Sequence, residues 1–297
     1  MKSRSYNLEE RKTPFIKLFR ITPPRTVCPN FYVLAHANGC MFAPQCDYCY
    51  LKSSFWYLEK QRAFSNIDEM IDEVRAWIAE DDLETYMLNS GNLSDSLSFE
   101  ECRPLMAQLI ETFRRDAKGR RHTLLLVTKG GRQECEVLFQ AEPCENVVVS
   151  FSVNHPDAAR RLERGAATVD DRLQTAEGLM KRGWRVRIRI DPMILGYEYR
   201  ELAERVKKLG PERVTLGTLR AEHNLPRFTN KGLFDELEPP SYEKGLARYP
   251  LEKRLALYRQ AVDVLRDSFP LALCEEEASV WDALGLDKEA KPCNCCV

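Results

Sequence analysis

Apolar positions along the chain follow two different periods, one after the other. Ile67, Met70, Ile71, Val74 and Ile78 fall three or four residues apart, the spacing of one helix face, and Ser65 with Asp68 fits a capping box, so a helix is predicted near 66–80. The same stripe recurs at Cys102, Leu105, Met106, Leu109, Ile110 and Phe113, opened by Ser98 and Glu101. Between such stretches the pattern tightens. Thr85 to Leu88 is a short apolar run, and Thr123 to Thr128 and Val147 to Val153 are nearly continuous in apolar and β-branched residues, as expected of parallel strands buried on both faces. A short helix near 132–140 links the last two. Thr168 and Asp171 cap a helix carrying Leu173, Ala176, Leu179 and Met180, Gly183 ends it, and Val186, Ile188 and Ile190 alternate on the next strand. Tyr199 to Leu209 reads as helix, Arg213 to Leu219 as strand, and Phe31 to Ala35 supplies the first strand of the series.

About six β/α units in this order predict a parallel sheet with right-handed crossover helices, in the α/β class, closed as an open or partial barrel. After Arg220 the rhythm breaks into a Pro-interrupted polar segment. A helix near 251–267, a short run from Leu271 to Leu273 and a terminal helix near 275–284 follow, expected to pack across the sheet. The predicted organisation is an N-terminal extension (1–30), a barrel core (31–220), a C-terminal helical extension (221–286) and a cysteine-bearing tail (287–297), the last a polar, mobile arm.

Composition narrows the class. In 297 residues, 44% hydrophobic and 30% charged exclude disordered and fibrous chains, and 44 Lys+Arg against 45 Asp+Glu leaves no global polycation to announce nucleic acid or an anionic membrane. No run approaches the roughly 18 uncharged apolar residues of a spanning helix, and Met1 to Pro14 lacks the apolar centre of a signal peptide, so a cytoplasmic protein without membrane contact is expected. Eleven cysteines are many for a reducing compartment, and metal or redox chemistry is their leading use. The four histidines, His36, His122, His155 and His223, show no metal spacing.

Three of the cysteines, Cys40, Cys46 and Cys49, lie in one segment just after the first strand. The C-x2-C turn aims two thiolates at one locus, and Cys40 adds a third without any histidine. Four ligands, with a distant cysteine such as Cys28 as the fourth, would close a structural zinc site, whereas three thiolates on a four-iron cube leave one iron free for a substrate or cofactor.

On these residues the sequence resembles the radical S-adenosylmethionine enzymes, and among them the spore photoproduct lyase family. The likeness starts with the tyrosine between the last two cysteines and runs through Cys49-Tyr50-Leu51. It continues in order at Asn92-Leu93-Ser94-Asp95, Val127-Thr128-Lys129, Ser152-Val153-Asn154 and Asp191-Pro192, each at the carboxyl end of a predicted strand, and covers about residues 30 to 275. The resemblance implies a partial (βα)6 barrel of the radical S-adenosylmethionine type. It also implies a [4Fe–4S] cluster on Cys40, Cys46 and Cys49, whose open iron binds S-adenosylmethionine, and a reductant such as flavodoxin or ferredoxin. The family pattern assigns Ser94, Lys129 and Ser152 to S-adenosylmethionine, with Asn154 and Asp191 in the same group, Tyr48 beside the adenine and Tyr50 on the substrate side.

Two departures limit the transfer. The family spacing C-x3-C-x2-C is C-x5-C-x2-C here, a longer loop at small entropic cost. The lyases that repair the spore thymine dimer return a hydrogen atom from a cysteine two residues before the serine of the S-D pair, and that place is Asn92. The expected substrate is therefore a small molecule or peptide, or damaged DNA if Cys293, Cys295 or Cys296 of the tail donates the hydrogen. These thiols are equally candidates for a second metal or cluster with Cys274, for thiol–disulfide shuttling, or for no role. A zinc-stabilised, non-catalytic binding module is the alternative of another class. Arg185, Arg187 and Arg189 alternate on one strand face, which must meet solvent or an anion.

Overall fold

The computed structural model describes residues 6–20, 22–23, 25–28, 30–290 and 293–297. Eight strands form its central sheet in chain order: β1 (Ile16–Phe19), β2 (Phe31–Leu34), β3 (Met87–Asn89), β4 (Thr123–Thr128), β5 (Val147–Val153), β6 (Arg185–Met193), β7 (Arg213–Thr218) and β8 (Leu271–Leu273). β1 runs antiparallel to β2, and every later pairing is parallel. The six strands predicted from the pattern are β2 to β7, and the architecture is the expected partial barrel.

The helices are α1 (Leu51–Ser54), α2 (Ile67–Ala79), α3 (Arg103–Asp116), α4 (Glu136–Gln140), α5 (Pro156–Leu162), α6 (Val169–Lys181), α7 (Arg200–Leu209), α8 (Leu251–Leu265) and α9 (Ala278–Ala283). Alternation along the strands separates two surfaces. Leu124 and Leu126 of β4 and Val147 and Val149 of β5 join the main core with Leu105, Leu109 and Phe113 of α3. Leu125 and Val148 face the other way, into a smaller inner cluster with Phe31, Val33 and Met87.

Local signals held in part. Thr168 caps α6 by accepting the Asp171 N–H at 3.1 Å. Ser65 does not cap α2: Asn66 stands there, and its amide bonds Arg11 and Glu69 instead. A 3-10 turn, Glu100–Cys102, precedes α3, while Ser98 accepts the Met41 N–H. The ends of the chain depart most. The segment before residue 30 supplies β1, and its Asn7–Glu9 strand pairs with Arg62–Phe64. Leu271–Leu273 does not lie across the sheet but extends it, α8 being the crossover from β7 to β8 and packing on α7.

The tail is docked rather than mobile. Arg187 on β6 is fully buried and needs acceptors. It finds the carbonyls of Asn294 at 2.7 Å and Cys296 at 2.6 Å, while Asn294 N–H donates to Thr215 Oγ1 at 3.1 Å. Arg213, the first residue of β7, donates to the carbonyls of Cys296 at 3.3 Å and Val297 at 3.1 Å. The tail therefore enters the barrel from the amino-terminal ends of the strands, not over the open carboxyl end. Helix α9 packs against α8 ahead of it.

Candidate functional site

The cysteine loop follows β2 and runs into α1. Cys40 and Cys46 are buried and Cys49 is half-buried, with Cys49 N–H closing the turn onto Cys46 O at 3.2 Å. Gly39 precedes them at φ +91°, a conformation that disfavours any side chain. The loop is pressed against the end of α5: a Cβ on Gly165 would lie 2.4 Å from Pro44 O, so only glycine permits this approach. Asp47 N–H donates to Leu162 O at 2.8 Å across the same contact. Burial raises all three thiols, and burial with the neighbouring Glu163 pushes Cys46 up to about 12 against the pull of Lys129 and Arg172.

The expected cofactor residues at the ends of β4 and β5 converge beside this loop. Lys129 Nζ donates to Ser152 Oγ at 2.6 Å, pairs with Glu163 at 3.2 Å and stands 5.6 Å from the centre of the Tyr48 ring. Tyr48 OH donates to Glu163, and Asn154 joins through Glu163 at 3.4 Å and through Tyr199 OH at 2.9 Å. Ser94 is buried, its hydroxyl turned onto Asp95 O at 2.9 Å. Asp95 accepts the Lys129 N–H at 2.7 Å and the Thr128 hydroxyl at 2.9 Å, which fixes the strand end that carries Lys129. Burial, against these hydrogen bonds, pushes Asp95 up to about 6.

Glu163 and Arg172 were not singled out from the sequence, yet they organise the group. Both side chains are fully buried and pair at 2.6 Å, and Arg172 also donates to Ser152 O at 2.9 Å. Burial alone would raise the Glu163 carboxyl, but Lys129, Arg172 and the Tyr48 hydroxyl bring it down to about 2. Arg172 thus answers Glu163, and the ammonium of Lys129 keeps charge to offer another anion.

Asp191 meets the group through its main chain. Its main-chain oxygen accepts from Ser152 Oγ at 3.2 Å, but its carboxylate is held by Arg189 at 2.5 Å and Arg220 at 2.8 Å. The alternating arginines of β6 thus meet the chain's own acceptors: Arg185 pairs with Glu212 at 2.7 Å, and Arg187 with Glu212 at 3.1 Å beside the tail. Cys274, the residue after β8, accepts from Arg189 Nη2 at 3.2 Å and Arg220 Nη2 at 3.1 Å. Tyr50 is exposed; its hydroxyl donates to Asn92 O, and its electrostatic neighbours include Cys49, Arg189 and Cys274.

The three tail thiols separate. Cys293 is buried in the main core, Cys295 packs on the inner cluster with Leu93 and Val127, and Cys296 is half-buried near the exposed Val297. Among the described residues no three His, Cys, Asp or Glu side chains are grouped to hold one ion. This holds for Cys40, Cys46 and Cys49 as for the tail cysteines, and tetrahedral zinc would draw its sulfurs to about 3.8 Å of one another. A four-iron cube asks less convergence of its protein ligands, because each thiolate binds a different iron. Three thiols on one buried loop, with no histidine, fit that donor set.

The sequence profile described as Spore photoproduct lyase matches residues 25–231. The spore photoproduct lyase of Bacillus subtilis (strain 168) is 25% identical over 187 residues, 62% of this chain and 53% of its own length. The spore photoproduct lyase of Clostridium acetobutylicum is 21% identical over 198 residues, 67% of this chain and 57% of its own. The matches thus span little more than half the length of these relatives. Among solved structures, spore photoproduct lyase complexed with dinucleoside spore photoproduct superposes with a TM-score of 0.72 at 21% identity, covering 91% of this chain and 82% of the other. A mutant of that enzyme with bound AdoMet and dinucleoside spore photoproduct gives a TM-score of 0.72 at 18% identity, with the same coverage. With its profile matched over more than half its residues, on a fold these structures share, the chain belongs to the spore photoproduct lyase family.

Proposed function

We propose that this chain is a radical S-adenosylmethionine enzyme, with Cys40, Cys46 and Cys49 holding a [4Fe–4S] cluster and Lys129, Ser152, Tyr48, Ser94 and Asn154 forming the place for S-adenosylmethionine. The observation that carries the reading is the convergence of Lys129, Ser152 and Tyr48 beside Cys46 at the carboxyl ends of β4 and β5. Bound there, cluster and cofactor supply one-electron cleavage of the sulfonium, and with it a radical that abstracts hydrogen from substrate. The chain's own task is to bind and orient. Lys129 offers a charge to the cofactor's carboxylate, Glu163 and Arg172 hold Lys129 and Ser152 in register, and the buried loop excludes water.

A thiol must return hydrogen if the reaction is of the family's repair type, and Asn92 has none to give. Such a donor must be protonated, since a thiolate carries no hydrogen atom. Cys274 meets this condition: burial pushes it up to about 12 against Arg220 and Arg189, which also fix its sulfur near Asp191 and Tyr50. Cys295 also meets it, at about 11 through burial, and is the tail thiol that faces the barrel interior. We assign the transfer to Cys274, S–H breaking as the product C–H forms, with Cys295 as the second candidate; the substrate is a DNA photolesion, or a small molecule or peptide radical needing the same quench.

Anaerobic reconstitution followed by iron and sulfide analysis and assay of 5′-deoxyadenosine, with a flavodoxin, a ferredoxin or dithionite as reductant, tests the core of the reading. A chain that binds a four-iron cluster yet never cleaves S-adenosylmethionine would overturn it. Assayed on dinucleoside spore photoproduct, Cys274→Ala should release aberrant adducts while Cys295→Ala keeps normal product; the reverse result moves the role to the tail.

A further inference from the structure

Cys293 and Cys296 occupy the two ends of a C-x2-C turn, closed by Cys296 N–H donating to Cys293 O at 3.1 Å. The turn is anchored from below and inside. Arg187 and Arg213 hold its carbonyls, and Thr215 holds its Asn294 N–H. Its two sulfurs differ in access: Cys293 is 6% exposed, whereas Cys296 is half-buried one residue from the exposed carboxyl end. Cys295, between them, turns the other way onto the inner apolar cluster.

We propose that Cys293 and Cys296 are a thiol–disulfide exchange centre acting on small-molecule disulfides. Cys296 is the attacking sulfur because it is the more accessible of the two; the neighbouring Cys293, Arg213 and Arg187 lower its thiol below the ordinary range, while Cys293 is raised. A thiol poised near ambient pH is the most effective nucleophile in such exchange. The Cys296 thiolate attacks one sulfur of the disulfide, whose S–S bond breaks and releases one thiolate. Cys293 then gives its proton to solvent and attacks Cys296 Sγ, expelling the second thiolate. Both leaving thiolates take up protons, so the tail dithiol is oxidised by two electrons and the small disulfide is reduced to two thiols. The resulting bond closes a ring around Asn294 and Cys295, so the redox state of the pair sets how tightly Cys295 is held inside the barrel.

The test uses the full-length chain, held anaerobically in glutathione buffers of graded ratio at pH 7.5, alkylated, and mapped by peptide mass. Expected is a Cys293–Cys296 disulfide that appears through a single two-electron transition, with Cys295 still alkylated. Cys293→Ser should trap glutathione on Cys296, and Cys296→Ser should abolish both the disulfide and the trapped adduct. The wild-type mapping needs no variant to fold, and the far-UV spectrum checks each variant. The alkylation rate of Cys296 should rise through a midpoint below that of an ordinary thiol, and this midpoint should move upward in Cys293→Ser. A pair that stays reduced at every ratio, pairing of Cys295 instead, or a Cys293→Ser chain that takes no glutathione would overturn the proposal. The readout is thiol mass, independent of iron and of S-adenosylmethionine.

Discussion

Replacing Glu163 by glutamine removes a charge and almost no volume from the centre of the candidate site. In the fold the carboxyl sits at about 2 against an ordinary 4.5, because Lys129, Arg172 and the Tyr48 hydroxyl outweigh its burial. A depression of that size corresponds to about 3 kcal/mol of stability at neutral pH. Because the folded pKa is the lower one, this contribution is complete above the unfolded value near 4.5 and is lost as pH falls toward 2. Truncating one partner of a buried pair costs a similar 3–5 kcal/mol, since Arg172 is left buried beside a neutral amide. Urea unfolding of the reduced, cluster-free chain, followed by far-UV circular dichroism at pH 7 and pH 3, checks both size and sign. With a slope of about 3 kcal/mol per molar urea, Glu163→Gln should lower the midpoint by about 1 M at pH 7. More than half of that deficit should vanish at pH 3. An unchanged midpoint at pH 7, or a deficit equally large at both pH values, would refute the account of Glu163 as an ionised anchor.

Cys40→Ala, Cys46→Ala and Cys49→Ala should each abolish cluster binding and 5′-deoxyadenosine formation; any one that keeps full iron and full cleavage drops out of the ligand set. Lys129→Ala should weaken S-adenosylmethionine binding by about 1.5–3 kcal/mol, roughly 10- to 150-fold, with iron content unchanged, as measured by equilibrium binding to the reconstituted chain. Deleting residues 293–297 should destabilise the chain by about 1–3 kcal/mol in urea unfolding, because the buried Arg187 loses two carbonyl acceptors; equal stability would mean that water replaces the tail without cost.

Much of this frame was legible because each signal is local. The six strands from Phe31 to Thr218 carry their own apolar runs, and the Cys40-Cys46-Cys49 segment is marked by its own spacing, so position along the chain sufficed to find them. Lys129, Ser152, Asn154 and Tyr48 came together because each motif sits at a strand end or on the loop packed beside it, where a parallel fold gathers its ligands. Glu163 and Arg172 were missed for the opposite reason. A glutamate after Arg160-Arg161-Leu162 and an arginine inside α6 look like ordinary solvated helix residues, and only the packing of α5 and α6 under β5 makes them a buried pair. Cys274 was noticed as a cysteine, but its contact with Arg189 and Arg220 depends on Leu271–Leu273 joining the sheet, which a three-residue run does not announce.

The tail reverses the usual relation between polarity and exposure. Asp287 to Lys291 read as solvated, and on composition the cysteines beyond them belong outside too. What draws them in is a demand made elsewhere: β6 directs Arg187 to a fully buried position, and an unpaired guanidinium there would cost several kcal/mol. Glu212 answers Nη2, and the carbonyls of Asn294 and Cys296 answer Nη1. Backbone carbonyls exist at every residue, so nothing in the tail's side chains marks it as the partner. The alternating arginines were the visible half of the contact, and the identity of their acceptors is set by the turn that Cys293 and Cys296 make. The same contact separates the tail thiols in space, Cys295 turned onto the inner cluster and Cys296 kept near the surface beside Arg213.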